Sequence, residues 1–91
     1  MKKTFQLQDS KKKPERIIDG IKNELKKYLK RERGKKLPES ATYWDFDCRV
    51  GADSESAVAV GVTELNVALD KAVADKLEAC YVEILVKAVT K

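Results

Sequence analysis

Between Tyr43 and Val50 every second residue is apolar: Trp44, Phe46, Cys48 and Val50 alternate with Tyr43, Asp45, Asp47 and Arg49. Successive side chains of a β-strand project to opposite faces. Such a segment is a strand with one face to bury and one face for water, and it needs a second layer to cover the apolar side. The same alternation runs from Ala79 or Cys80 to Val89, with Cys80, Val82, Ile84 and Val86 on one face and Tyr81, Glu83, Leu85 and Lys87 on the other. A shorter version spans residues 2–8, where Phe5 and Leu7 oppose Thr4, Gln6 and Gln8. Ala57 to Val62 is a short apolar run and reads as a fourth strand.

The covering layer is also legible. Pro14 can open a helix, because its fixed φ suits the first turn and its missing N–H costs nothing there. Glu15 follows in the first turn, where the helix dipole favours an anion. Ile17, Ile18, Ile21, Leu25, Tyr28 and Leu29 fall within about 120° of one another at helical spacing. Gly34 can end the pattern after Arg33. A second helix begins near Thr63, a plausible N-cap, with Leu65, Ala68, Leu69, Ala72, Val73 and Leu77 as its buried stripe. Asp9-Ser10 with Lys11 to Lys13, Lys35 to Thr42 and Gly51 to Ser56 read as connections.

The order β-α-β-β-α-β predicts an α+β two-layer sandwich, a four-stranded sheet with two helices on one face. It is ferredoxin-like or a variant strand order. A chain of 91 residues, 43% hydrophobic and 37% charged, is expected to form one domain over residues 1–91 with one modest core.

The charge is unevenly placed. Residues 1–36 hold 14 Lys/Arg against 5 Asp/Glu, and residues 37–91 hold 5 against 10. A half with a net charge of +9 beside one of −5 points to an anionic partner for the first half, or to mutual attraction of the halves. Lys22, Lys26, Lys30 and Arg33, at spacings of 4, 4 and 3, form one row on the first helix, roughly opposite its Ile17/Ile21/Leu25 face. Lys27 and Arg31 widen it, and Lys11 to Lys13 and Lys35-Lys36 extend it. These six helical cations, Lys22, Lys26, Lys27, Lys30, Arg31 and Arg33, are the candidate nucleic-acid-binding residues. The bland alternative is a solvated face. The signature aromatic strand of an RNA-recognition module is absent, and Trp44 and Phe46 are expected in the core.

Asp45 and Asp47 project together from one strand face, with Asp53 and Glu55 in the next loop and Glu83 on another strand. Oxygen ligands so placed can hold a divalent cation or act as an acid/base pair. The spacing fits no EF-hand, and Arg49 on the same face can neutralise Asp47. A polar sheet face accounts for them more simply. The chain has no His, so Ser-His and Cys-His pairs are excluded, and two cysteines without a histidine cannot make a zinc site. No phosphate-binding glycine motif is present. No cofactor and no metal are expected. Cys48 and Cys80 fall on apolar strand faces and read as buried free thiols. No run approaches the roughly 20 apolar residues of a membrane span.

Thr4-Phe5-Gln6-Leu7-Gln8, Lys13-Pro14-Glu15-Arg16, Lys26 through Arg33, Leu37-Pro38, Trp44-Asp45-Phe46-Asp47-Cys48, Gly51-Ala52-Asp53, Glu64-Leu65-Asn66 and Tyr81 through Leu85 give the chain a wider likeness. It resembles a family of short bacterial proteins grouped as a domain of unknown function, and the Trp-Asp-Phe-Asp-Cys strand is the most specific part. The resemblance implies a stand-alone bacterial, cytoplasmic protein and carries no activity or catalytic residue with it. From the residues alone, the expectation is a binding module that uses the basic first helix for RNA or another polyanion. The alternative is a protein–protein module using the polar sheet face or an edge strand. A carboxylate-dependent enzyme centred on Asp45 and Asp47 is the third and weakest reading.

Overall fold

A computed structural model describes residues 1–8 and 11–90. The connection expected at Asp9-Ser10 lies outside the described residues. The elements are β1 (Lys2–Gln6), α1 (Pro14–Arg33), β2 (Tyr43–Gly51), β3 (Val58–Val60), a 3-10 turn (Val62–Glu64), α2 (Leu65–Ala74) and β4 (Ala79–Val89). The predicted α+β arrangement is present: one four-stranded sheet and two helices.

The strand order is β1-β4-β2-β3, with every neighbouring pair antiparallel. It follows that β1 runs parallel to β2 with β4 slotted between them, and β3 runs parallel to β4 with β2 between them. Each helix thus spans a split β-α-β unit, and the order is a variant one in which the two longest strands take the centre. Their register runs from Tyr43 opposite Val89 to Gly51 opposite Tyr81.

The inner sheet face contributes Phe5, Phe46, Cys48, Val50, Cys80, Val82 and Ile84 to the core. Against them pack Ile18, Ile21 and Leu25 of α1 and Leu65, Leu69 and Ala72 of α2. The helices differ in reach. With 20 residues α1 is about 30 Å long, whereas the 10 residues of α2 span about 15 Å. Val60 lies opposite Cys48, so the chain leaves the sheet halfway along β2 and α2 begins there. The half of the sheet that holds Tyr43 to Phe46 has no β3 partner and meets the C-terminal end of α1 and the segment after it, through Arg33 over the Phe46 ring and Lys35 at Trp44.

That difference corrects one expectation. Trp44 faces inward but is only partly buried at the rim of the core, and its indole N–H donates to the Lys35 carbonyl at 2.9 Å. Thr63 is likewise not the N-cap. The 3-10 turn precedes α2, the Glu64 N–H donates to the Gly61 carbonyl at 2.8 Å, and the cap position is Glu64. The third strand is shorter than Ala57 to Val62. Gly51 closes β2 opposite Tyr81 rather than opening a loop, and a Cβ there would lie 2.5 Å from the Ala57 Cα. The hairpin needs a glycine at that close approach.

Candidate functional site

The C-terminal half of α1 concentrates the exposed positive charge. The helix continues past Gly20 to Gly34, whose N–H donates to the Lys30 and Arg31 carbonyls, both at 3.2 Å. Lys30, Arg31 and Arg33 lie in the last turn, where cations complement the helix dipole. At 100° per residue Lys22, Arg33, Lys26 and Lys30 span about 80° of the helix surface, while Lys27 and Arg31 lie beyond Lys30 on the far side.

The structure separates these residues by role. Lys22 is half-buried, and its Nζ sits 2.6 Å from the Asp70 Oδ1 of α2. The row is therefore the α2-facing flank of the helix, and its first member is committed to an intramolecular pair. This corrects the placement of the row opposite the apolar face. The Arg33 guanidinium lies 5.2 Å from the centroid of the Phe46 ring. Lys26 and Lys30 are exposed, and neither makes an ion pair among the described residues. On the β1 side, Lys27 and Arg31 line a shallow cavity of about 340 Å³ with Met1, Glu24 and Tyr28. Arg31 stacks 5.8 Å from the Tyr28 ring centroid.

Glu32 is the one carboxylate between residues 26 and 36. The Lys35 ammonium bonded to it holds its carboxyl below the usual range. Burial, and then Glu32, push the neighbouring Tyr28 phenol up. Other cations are also spent within the molecule. Lys3 pairs with Glu24 at 2.9 Å, and Lys2 and Arg49 both stand 3.9 Å from Glu83. The attraction of the two halves and a solvated basic surface are both present, divided residue by residue.

On the outer sheet face the carboxylates have structural partners. The Asp45 Oδ1 accepts the Phe46 N–H at 2.8 Å, and Asp47 pairs with Lys87 at 3.0 Å. Arg49, expected to neutralise Asp47, turns instead to Glu83, the residue opposite it in β4, and donates to the Ala57 carbonyl at 2.9 Å. Glu83 is 7% exposed, with the Tyr81 hydroxyl donating to its Oε1 at 2.9 Å. Tyr81, expected on the open face, is buried beside it. Asp53 accepts the N–H groups of Glu55 and Ser56 and so shapes the β2–β3 turn, and its carboxyl is held low by the Ser56 bonds. Among the described residues no group of three or more His, Cys, Asp or Glu is placed to hold a metal ion.

Cys48 and Cys80 are buried free thiols. Burial raises both, and the Asp47 and Asp45 charges add to the effect at Cys48. A thiol reagent near pH 8 is expected to label them roughly 100-fold more slowly in the folded protein than in denaturant. Because the folded-state values are raised, the unfolded chain ionises first. Stability should be full below the ordinary thiol range and fall as pH climbs past about 8.5. Equal labelling rates in the two states would contradict the burial.

Sequence reasoning missed a second surface. Between β3 and α2 runs a groove of about 450 Å³ whose lining includes Val58, Val60, Val67 and Ala68. Val58 and Val67 are 63% and 69% exposed. The available signal was Val67 itself, an apolar residue off the buried stripe of α2.

The fold and its surface define a small α+β protein with one basic helical flank and one apolar sheet edge. The chain belongs to the family of unknown function DUF6172, whose profile matches residues 1–91. No curated protein and no solved structure is significantly similar to it. Among the described residues no helix is long and apolar enough to cross a membrane.

Proposed function

We propose that the protein is a small binding module that holds RNA along the flank of α1 formed by Lys26, Lys30 and Arg33. The observation that carries this reading is the exposure of Lys26 and Lys30, one turn apart and without an acidic partner among the described residues. Lys30 complements the helix dipole from the last turn, but neither lysine makes an ion pair within the fold among the described residues. Like charges at i,i+4 cost a helix about 0.2–0.5 kcal/mol per pair, and Lys26 lies too far from the helix end to serve the dipole. Steps of about 6 Å along a helix axis are on the scale of successive phosphates in an extended single strand. Lys36 continues the charge past the helix end, and the half-buried Trp44 lies beside Lys35.

An amide-resolved titration with mixed-sequence single-stranded RNA, at about 50 and about 200 mM salt, tests the reading. Shifts are expected at residues 26–36 and should fade at the higher salt. Shifts scattered over the outer sheet face, or undiminished by salt, would sink it.

A further inference from the structure

The free edges of the sheet are not equally protected. Along β1 the outer edge carries Lys2 and Lys3. Along β2, residues 43–47 have no β3 partner, but the Asp45 carboxylate occupies the Phe46 N–H there. The edge of β3 has neither device. Ala57-Val58-Ala59-Val60-Gly61 contains no charge, no proline and no long polar side chain. Natural proteins usually blunt an open edge with such features, since unpaired N–H and C=O groups template the addition of another strand. Beside this edge the groove between β3 and α2 exposes Val58 and Val67.

We propose that β3 is a homodimer edge, at which a second copy of this chain adds its own β3 antiparallel and extends the sheet to eight strands. The argument for a second copy is self-complementarity. A two-fold axis at Ala59 places Val58 opposite the partner's Val60 and repeats that contact, with Ala59 against the partner's Ala59. The same axis sets the two α2 helices side by side and antiparallel. Glu64 and Lys71 both line the groove, three and four residues to either side of Val67. Neither makes an ion pair among the described residues. The proposed dimer has its axis passing close to Val67 as well, where it exchanges their positions, so each Glu64 meets the partner's Lys71 and both pairs form at once. An isologous interface requires this property: the surface must complement itself. Val67, too apolar for its exposure, packs against its own copy at the centre.

Sedimentation equilibrium of the full chain tests the proposal. The parent is expected to approach twice its 10.3 kDa monomer mass at high protein concentration. Val58→Lys puts a charge on the pairing edge at an exposed position and should give a folded monomer, with folding checked by circular dichroism. Glu64→Lys alone should weaken the dimer roughly tenfold through like-charge contact. Lys71→Glu alone should do the same. The double swap Glu64→Lys/Lys71→Glu should restore the dimer to within about threefold of the parent. A parent that stays monomeric throughout would leave the edge to a foreign strand and overturn the proposal. A dimer indifferent to both Val58→Lys and the single charge reversals would overturn it too.

Discussion

Phe46→Ala is expected to remove about 3–5 kcal/mol of folding free energy, the largest loss from any single truncation on the inner face of β2. Phe46 is 5% exposed and sits where α1, β2 and β4 meet, with Val86 opposite it in the register. Its ring also supports the Arg33 guanidinium, so truncation strands a charged side chain over a cavity. A chain of this size holds only about 5–9 kcal/mol in total, so the variant should be close to the limit of folding. Trp44→Ala should cost less, although the tryptophan is the larger residue, because it sits at the rim where α2 does not reach. Urea denaturation followed by far-ultraviolet circular dichroism compares the two without relying on the chain's single tryptophan. A greater loss for Trp44→Ala would mean that the half of the sheet beyond the reach of α2 is packed at least as well as the half beneath it.

The comparison of Trp44 with Phe46 shows where the sequence stops informing. Alternation assigns both to the same face, and both do face inward. Depth along that face depends on how far the second helix extends, which is set by where β3 leaves the sheet. Six small apolar residues from Ala57 to Val62 carry no alternation to mark that exit. By contrast α1 could be read to the residue, because Pro14 and Gly34 punctuate a clear helical period. Strand order was not legible, because many orders of four antiparallel strands satisfy the same alternation. The charges follow the same logic. The spacing of the basic row is a local property and could be read, but the Lys22–Asp70 pair joins residues 48 apart in the chain. Arg49 had two candidate anions. The cross-strand residue, directly opposite at about 5 Å between Cβ atoms, prevails over the same-strand neighbour two positions away.

The Lys22–Asp70 pair sharpens the expected behaviour of the basic flank. With Lys22 committed, the flank offers Lys26, Lys30 and Arg33 to phosphates. Displacing about three counterions from a single strand gives a slope of log K against log salt of about −2.1, or about −2.7 on a B-form duplex. Between about 50 and about 200 mM salt, the single-strand slope corresponds to a loss of affinity of roughly 18-fold. Replacing Lys26 and Lys30 together by Gln should leave Arg33 alone, bring the single-strand slope to about −0.7 and reduce that loss to roughly threefold. The same change should spare the fold, since both side chains are exposed and unpaired among the described residues. It should even add a few tenths of a kcal/mol by relieving the repulsion between them. Lys22→Gln is the matched control. It breaks an ion pair between α1 and α2, so it should lower stability slightly and leave the salt slope unchanged. If the double variant destabilises the domain, Lys26 and Lys30 are working inside the molecule. If it binds RNA with the slope of the parent, the phosphates lie elsewhere. The first result would assign this flank of α1 to intramolecular pairing and the second would leave it a solvated surface, and either overturns the RNA-binding reading.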